Sequence, residues 1–156
     1  MKLFAPLQMG LMMLVLMTLA ALPVVAAEPV NVSADDFTID QNNNNATFSG
    51  NVVITRTGLS LWADKVVVLY GSGGQSDIDS LTATGNVRIK TDSQDATGAK
   101  ATFDPDTLIL KLSGNVTVVN AQGRLNGPEL TINLATNSSV FKGSEGGRVT
   151  GVFTPQ

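Results

Sequence analysis

Ser49-Gly50-Asn51-Val52 is a phrase this chain states three times. It returns as Thr84-Gly85-Asn86-Val87 and as Ser113-Gly114-Asn115-Val116. Each copy runs into an alternation of apolar and polar residues: Val52-Val53-Ile54-Thr55, Val87-Arg88-Ile89-Lys90 and Val116-Thr117-Val118-Val119. The glycines stand 35 and 29 residues apart, a spacing at which internal repeats signal stacked architectures. A degraded fourth copy is placed at Phe141-Lys142-Gly143.

With Gly50, Gly85 and Gly114 in register, a small residue follows thirteen positions on: Ala63, Gly98 and Gly127. Beyond it come further alternating runs, Val66/Val68/Tyr70, Ala101/Phe103/Pro105 and Leu130/Ile132/Leu134. Each unit therefore reads as a strand, a turn, a small-residue corner and a second strand. The turns fall at Thr57-Gly58, Asp92 to Asp95 and Gln122-Gly123. Gly71 to Asp77 reads as a flexible loop and Pro105-Asp106 as a tight turn. In this reading Gly and Asn of the phrase are turn or strand-start residues, not ligands.

Pro29 to Ala34 predicts a first strand with Val30 and Val32 on one face, Phe37-Thr38-Ile39 a second, and Asn42 to Asn45 a turn. The last strand spans Arg148 to Phe153 and stops at Pro155. Helical periodicity is hard to find after Glu28. The class is all-β, short antiparallel strands at regular spacing, which suits a sandwich, a barrel or a stacked coil.

Alternation also assigns faces, because successive side chains of a strand point oppositely. Val52, Ile54, Val68, Val87, Ile89, Phe103, Val116, Val118 and Ile132 share one side in the repeat register. That side is either a closed core or the lining of an apolar groove. Arg88, Lys90, Thr55 and Thr117 take the other.

The first 27 residues differ from the rest. Lys2 precedes an almost unbroken apolar run from Met9 to Leu22, then Pro23, then Val25-Ala26-Ala27 before Glu28. This is the layout of a cleaved secretory signal peptide over 1–27, leaving one domain over 28–156. The same stretch is long enough to serve as a retained membrane anchor. Setting Lys2 aside, the ten Lys and Arg become nine against thirteen Asp and Glu. That acidic balance argues against nucleic acid, whose binders carry a basic patch.

The chain has no Cys and no His, which removes disulfides, thiol catalysis, His-assisted Ser catalysis and ordinary structural zinc. Asp35-Asp36, Asp77 with Asp79, and Asp104 with Asp106 are the minimum for glycoside hydrolysis or calcium binding, but each sits where Asp caps a turn. Gly71-Ser72-Gly73-Gly74 lacks the Lys and the helix of a phosphate loop. Asn137-Ser138-Ser139 fits a glycosylation pattern and fits a turn better. No catalytic, metal or cofactor site is expected. Trp62 adjoins the Ala63 corner, where its face is undecided.

Pro29-Val30-Asn31-Val32-Ser33-Ala34-Asp35, Ala46-Thr47-Phe48-Ser49-Gly50-Asn51-Val52, Ala63-Asp64-Lys65-Val66-Val67-Val68 and the ending Arg148-Val149-Thr150-Gly151-Val152-Phe153-Thr154-Pro155 carry a resemblance, with the two further Gly-Asn-Val copies. In their order and spacing the chain resembles the OstA-like family of periplasmic lipopolysaccharide-transport bridge proteins, over essentially all of 28–156. The resemblance implies an open, twisted β-jellyroll around an apolar groove. It implies lipopolysaccharide as cargo, held by its lipid A acyl chains on the nine aliphatic and aromatic positions named above.

It further implies head-to-tail assembly by strand addition. Val30 and Val32 at one end and Val149 and Val152 at the other are the assembly edges. The other partners implied are an inner-membrane-anchored relative and an outer-membrane translocon. The alternatives are that membrane-anchored relative itself, should 1–27 be retained, or a structural β-repeat assembly without lipid.

Overall fold

The computed structural model describes residues 28–143 and 147–155. The expected signal peptide over 1–27 lies outside the described residues. Six long strands form a meander: β3 (Asn45–Arg56), β4 (Leu59–Tyr70), β5 (Ile78–Thr91), β6 (Gln94–Asp104), β7 (Ile109–Asn120) and β8 (Gly123–Asn133). Two short strands precede it, β1 (Asn31–Ser33) and β2 (Asp36–Asp40). Two follow it, β9 (Ser138–Lys142) and β10 (Thr150–Phe153). All belong to one antiparallel sheet. β1 and β2 lie along the two halves of β3, and β9 and β10 along the two halves of β8. The order begins at β1 and ends at β10, so the sheet is open.

The architecture is the expected all-β open jellyroll, but its strands are longer than the repeat suggests. Ser-Gly-Asn-Val does not start a strand or reverse the chain; it lies in the middle of β3, β5 and β7. Both Gly and Asn take left-handed angles there: Gly50 φ 77° and Asn51 φ 46°, Gly85 80° and Asn86 48°, Gly114 84° and Asn115 48°. These residue types adopt that region at least cost. Two such residues in succession form a bulge that bends the strand and lets pairing resume. The register shifts between Ser49 and Val52, between Thr84 and Val87, and between Ser113 and Val116. Immediately past each bulge, Val52 pairs with Ala63, Val87 with Gly98 and Val116 with Gly127. The small "corner" residues are thus mid-strand partners of the phrase's valines.

At both ends of the sheet the bend becomes a break. Ala34-Asp35 separate β1 from β2, opposite Gly50. The degraded fourth copy ends β9 at Lys142, and β10 resumes alongside β8.

The bends fold the sheet into two facing layers. One layer holds Val52–Arg56 and the segments in register with it; the other holds Asn45–Ser49 and its neighbours. Burial requires this arrangement. Ala46, Leu112 and Ala96 are fully buried although, among the described residues, no helix covers the sheet. A hydrogen bond from Gln94 Nε2 to Ser139 Oγ (3.3 Å) crosses between the layers.

The hairpins along the outer rim of the second layer repeat one loop. The side chains of Asp40, Asp104 and Asn133 accept N–H groups two and three residues on, at 2.9–3.2 Å. Asn44, Leu108 and Asn137 close these loops at positive φ. The β4–β5 connection differs: a 3₁₀ turn at Gly74–Ser76 sits in it.

Candidate functional site

Residues directly opposite on antiparallel strands share a face, so the inner surface can be read as rows crossing the sheet. In one layer the row nearest the bends runs Phe37, Phe48, Val66, Ala83, Ala101, Leu112, Leu130, Phe141. In the facing layer a row runs Val32, Ile54, Leu61, Ile89, Ala96, Val118, Leu125, Gly151. The two alanines in the first row leave space between the layers; the leucines after them fill it.

The space is a cavity of about 440 Å³ in the β1-side half. Ile54, Leu59, Leu61 and Val32 form one wall; Val66, Val68, Leu81, Phe103, Leu110 and Leu134 form the other, with Ala83 and Ala101 at its floor. Among the described residues Arg56 is its only charged lining residue, and Gln75 and Tyr70 are the other polar ones. Val30 and Val32 line the cavity on the β1 side at 56% and 40% exposure, and Phe37 and Ile39 on neighbouring β2 are 53% and 42% exposed. Phe37 stacks on Phe48 with ring centroids 4.6 Å apart.

Of the nine positions expected on the groove face, Ile54, Val68 and Phe103 line the cavity. Val52, Val87, Ile89, Val116, Val118 and Ile132 lie in the same apolar cluster but are packed, at 1–3% exposure. Val30 and Val32, expected at an assembly edge, also line the cavity. Val149 and Val152 lie at the opposite end, 39% and 71% exposed. The alternation on β3 did not identify Leu59, Leu61, Leu81 and Leu110. The same period-two rule applied to β4, β5 and β7 places all four inward.

One carboxylate of each pair considered for catalysis, Asp35, Asp77 and Asp104, has a structural duty. Asp35 Oδ2 accepts from Asn51 Nδ2 at 2.8 Å, and Asp64 Oδ2 from Asn86 Nδ2 at 2.9 Å, clamping two of the bends. Ala99 occupies the corresponding place beside Gly114. Asp77 accepts the Gly73 N–H at 2.9 Å. Asp104 caps its hairpin, and the Thr107 side chain and N–H hold its carboxyl below the usual range. Trp62 faces outward under the Arg88 guanidinium, 5.2 Å from the ring centroid. Arg88 in turn grips Asp95 with Nε–Oδ1 at 2.9 Å and a second bond through Nη2. That hydrogen bonding lowers the Asp95 pKa, against a smaller opposing effect of desolvation. No cluster of carboxylates with metal-binding geometry occurs among the described residues.

The family described as LptA/(LptD N-terminal domain) LPS transport protein matches residues 31–138, the span from β1 to the start of β9. The chain belongs to this LptA-type family. The lipopolysaccharide export system protein LptA of Haemophilus influenzae is 25% identical over 134 residues, covering 82% of this chain and 78% of that protein. LptA of Escherichia coli K12 is 25% identical over 133 residues, covering 82% and 72%. The crystal structure of LptH is that of the LptA-homologous periplasmic component of the lipopolysaccharide transport device of Pseudomonas aeruginosa. It superimposes with a TM-score of 0.71 at 17% identity, over 82% of this chain and 96% of that one, which establishes the shared fold. The rows, bends and cavity above are therefore this chain's version of the LptA-type jellyroll.

Proposed function

We propose that this chain is a periplasmic, non-catalytic carrier that holds lipopolysaccharide by its acyl chains in the cavity between the two layers. The carrying observation is the cavity itself: an opening of about 440 Å³ whose walls are aliphatic and aromatic, in a molecule of the LptA-type family. Burying a methylene is worth roughly 0.8 kcal/mol, so exposing one 14-carbon acyl chain to water costs about 10 kcal/mol. A multiply acylated lipid therefore needs cover to cross an aqueous compartment. Contact with aliphatic walls is non-directional, which lets the chains slide.

The same reading includes head-to-tail assembly. Among the described residues β1 and β10 terminate the sheet with unpaired backbone groups, and Val30, Val32, Val149 and Val152 flank those edges. Edge strands of this kind add a further strand readily. An isologous pair would close on itself, whereas joining β10 of one copy to β1 of the next extends a sheet without limit. Such a bridge would connect an inner-membrane-anchored relative to an outer-membrane translocon.

The test is lipid analysis of the protein purified from cells. Lipopolysaccharide or its lipid A portion is expected to co-purify, and Ile54→Asp or Val68→Asp to abolish it while the β-sheet circular dichroism signal persists. Filaments without lipid would support the structural-assembly alternative instead.

A further inference from the structure

The inward column of β3 runs Val52, Ile54, Arg56. Its first two members are buried and apolar. The third puts a guanidinium on the cavity rim, with its side chain 37% exposed. Six positions after the glycine, the other two repeats carry Thr91 and Asn120, and both cap their hairpins. Thr91 Oγ1 accepts the Gln94 N–H at 3.2 Å, and Asn120 Oδ1 accepts those of Gln122 and Gly123 at 3.0 and 3.1 Å. Arginine has no acceptor, so Arg56 cannot perform this task.

Among the described residues Arg56 is also weakly held. Its Nη2 lies 3.9 Å from Glu28 Oε2, beyond hydrogen-bond reach. Arg88 is the contrast, with its fork engaged by Asp95 and its plane over Trp62. A guanidinium fork matches the geometry of phosphate and carboxylate oxygens. Placed on the rim of an otherwise aliphatic cavity, it selects an amphiphile whose chains go in and whose anionic group stays at the rim.

We infer that Arg56 is the headgroup anchor of this cavity. It binds an anionic group, a phosphate in the first instance, of a lipid whose acyl chains lie between Leu61 and Phe103, and Glu28 is the weak competitor that the phosphate displaces. This rests on the reading of the cavity as an acyl-lipid site.

The experiment measures displacement of a fluorescent acyl probe from the purified protein by hexa-acylated bisphosphorylated lipid A, by its dephosphorylated counterpart and by inorganic phosphate. The wild-type protein is expected to bind the phosphorylated lipid about tenfold more tightly than the dephosphorylated one, the size of a charge-assisted hydrogen bond. Arg56→Gln is expected to weaken binding of the phosphorylated lipid about tenfold and so to remove that preference. Arg56→Lys is expected to keep part of it, and Glu28→Gln to strengthen binding of the phosphorylated lipid alone. A preference that survives in Arg56→Gln overturns the anchor and leaves the acyl site standing. So do equal affinities in the wild-type protein. Displacement by inorganic phosphate at lipid-like concentrations makes the rim a free-anion site and overturns the proposal. Failure of both lipids to bind the wild-type protein overturns the acyl site and the anchor together.

Discussion

The two halves of the molecule are built from the same repeat and end up opposite in character. Toward β1 the layers stand apart around a cavity; toward β10 they are packed solid. The difference lies in a few side chains on equivalent rows. Ala83 and Ala101 sit across from Ile54 and Leu61 and leave room, whereas Leu112, Leu130 and Phe141 continue the same row and fill it. The outer rims differ too. At the packed end Gln94 reaches across to Ser139 and ties the layers, while at the open end the rim presents Arg56 and Leu59. The bends follow the same division. Asp35–Asn51 and Asp64–Asn86 clamp the two bends beside the cavity, and the third, with Ala99 opposite Gly114, has no carboxylate. Side-chain hydrogen bonds thus reinforce the two bends that border the cavity and not the third. A repeat thus supplies a frame, and residue size at a few positions decides whether the frame is a core or a container.

The largest expected effect tests the packed half. Leu112→Ala, at a fully buried position, is expected to destabilise by about 2–5 kcal/mol, because a new void adds to the lost transfer free energy. Leu81→Ala only widens an existing cavity and is expected to cost about 1–2 kcal/mol. Urea denaturation of the two variants measures the gap; equal losses would mean that the halves do not differ in packing.

A second substitution would convert one half toward the other. Ala101→Leu is expected to leave stability within about 1 kcal/mol of wild type or raise it, by filling space, and to abolish lipid co-purification. Val116→Phe in the packed half is expected to destabilise by about 1–3 kcal/mol through overpacking. Thermal unfolding and lipid extraction read the two outcomes.

The smallest effect concerns the bends. Asn86→Ala loses both its tolerance of a left-handed backbone and its bond to Asp64; Asn115→Ala loses only the first. The difference in their unfolding free energies is expected to be about 0.5–1 kcal/mol, one hydrogen bond.

Much of this was legible in the sequence. Alternation after each Gly-Asn placed Val52, Ile54 and their counterparts inward, and the Asn, Gly and Asp clusters marked the hairpins. The role of Gly-Asn itself was not, because two residues suited to left-handed angles look alike whether they reverse a chain or bend a strand. The split between core and cavity wall was hidden for a different reason. Ile54 and Ile89 obey the same alternation, and what separates them is the residue facing each from the other layer. That pairing exists only once the sheet has folded over. Trp62 was ambiguous for want of a known bulge position, which sets the parity of β4.

The most direct test of the cavity's role is a pair of photo-crosslinking side chains introduced in cells, one at Phe103 on the cavity wall and one at Leu112 in the packed half. The proposed carrier predicts lipopolysaccharide captured at Phe103 and not at Leu112. No capture at Phe103, or equal capture at both, would contradict it.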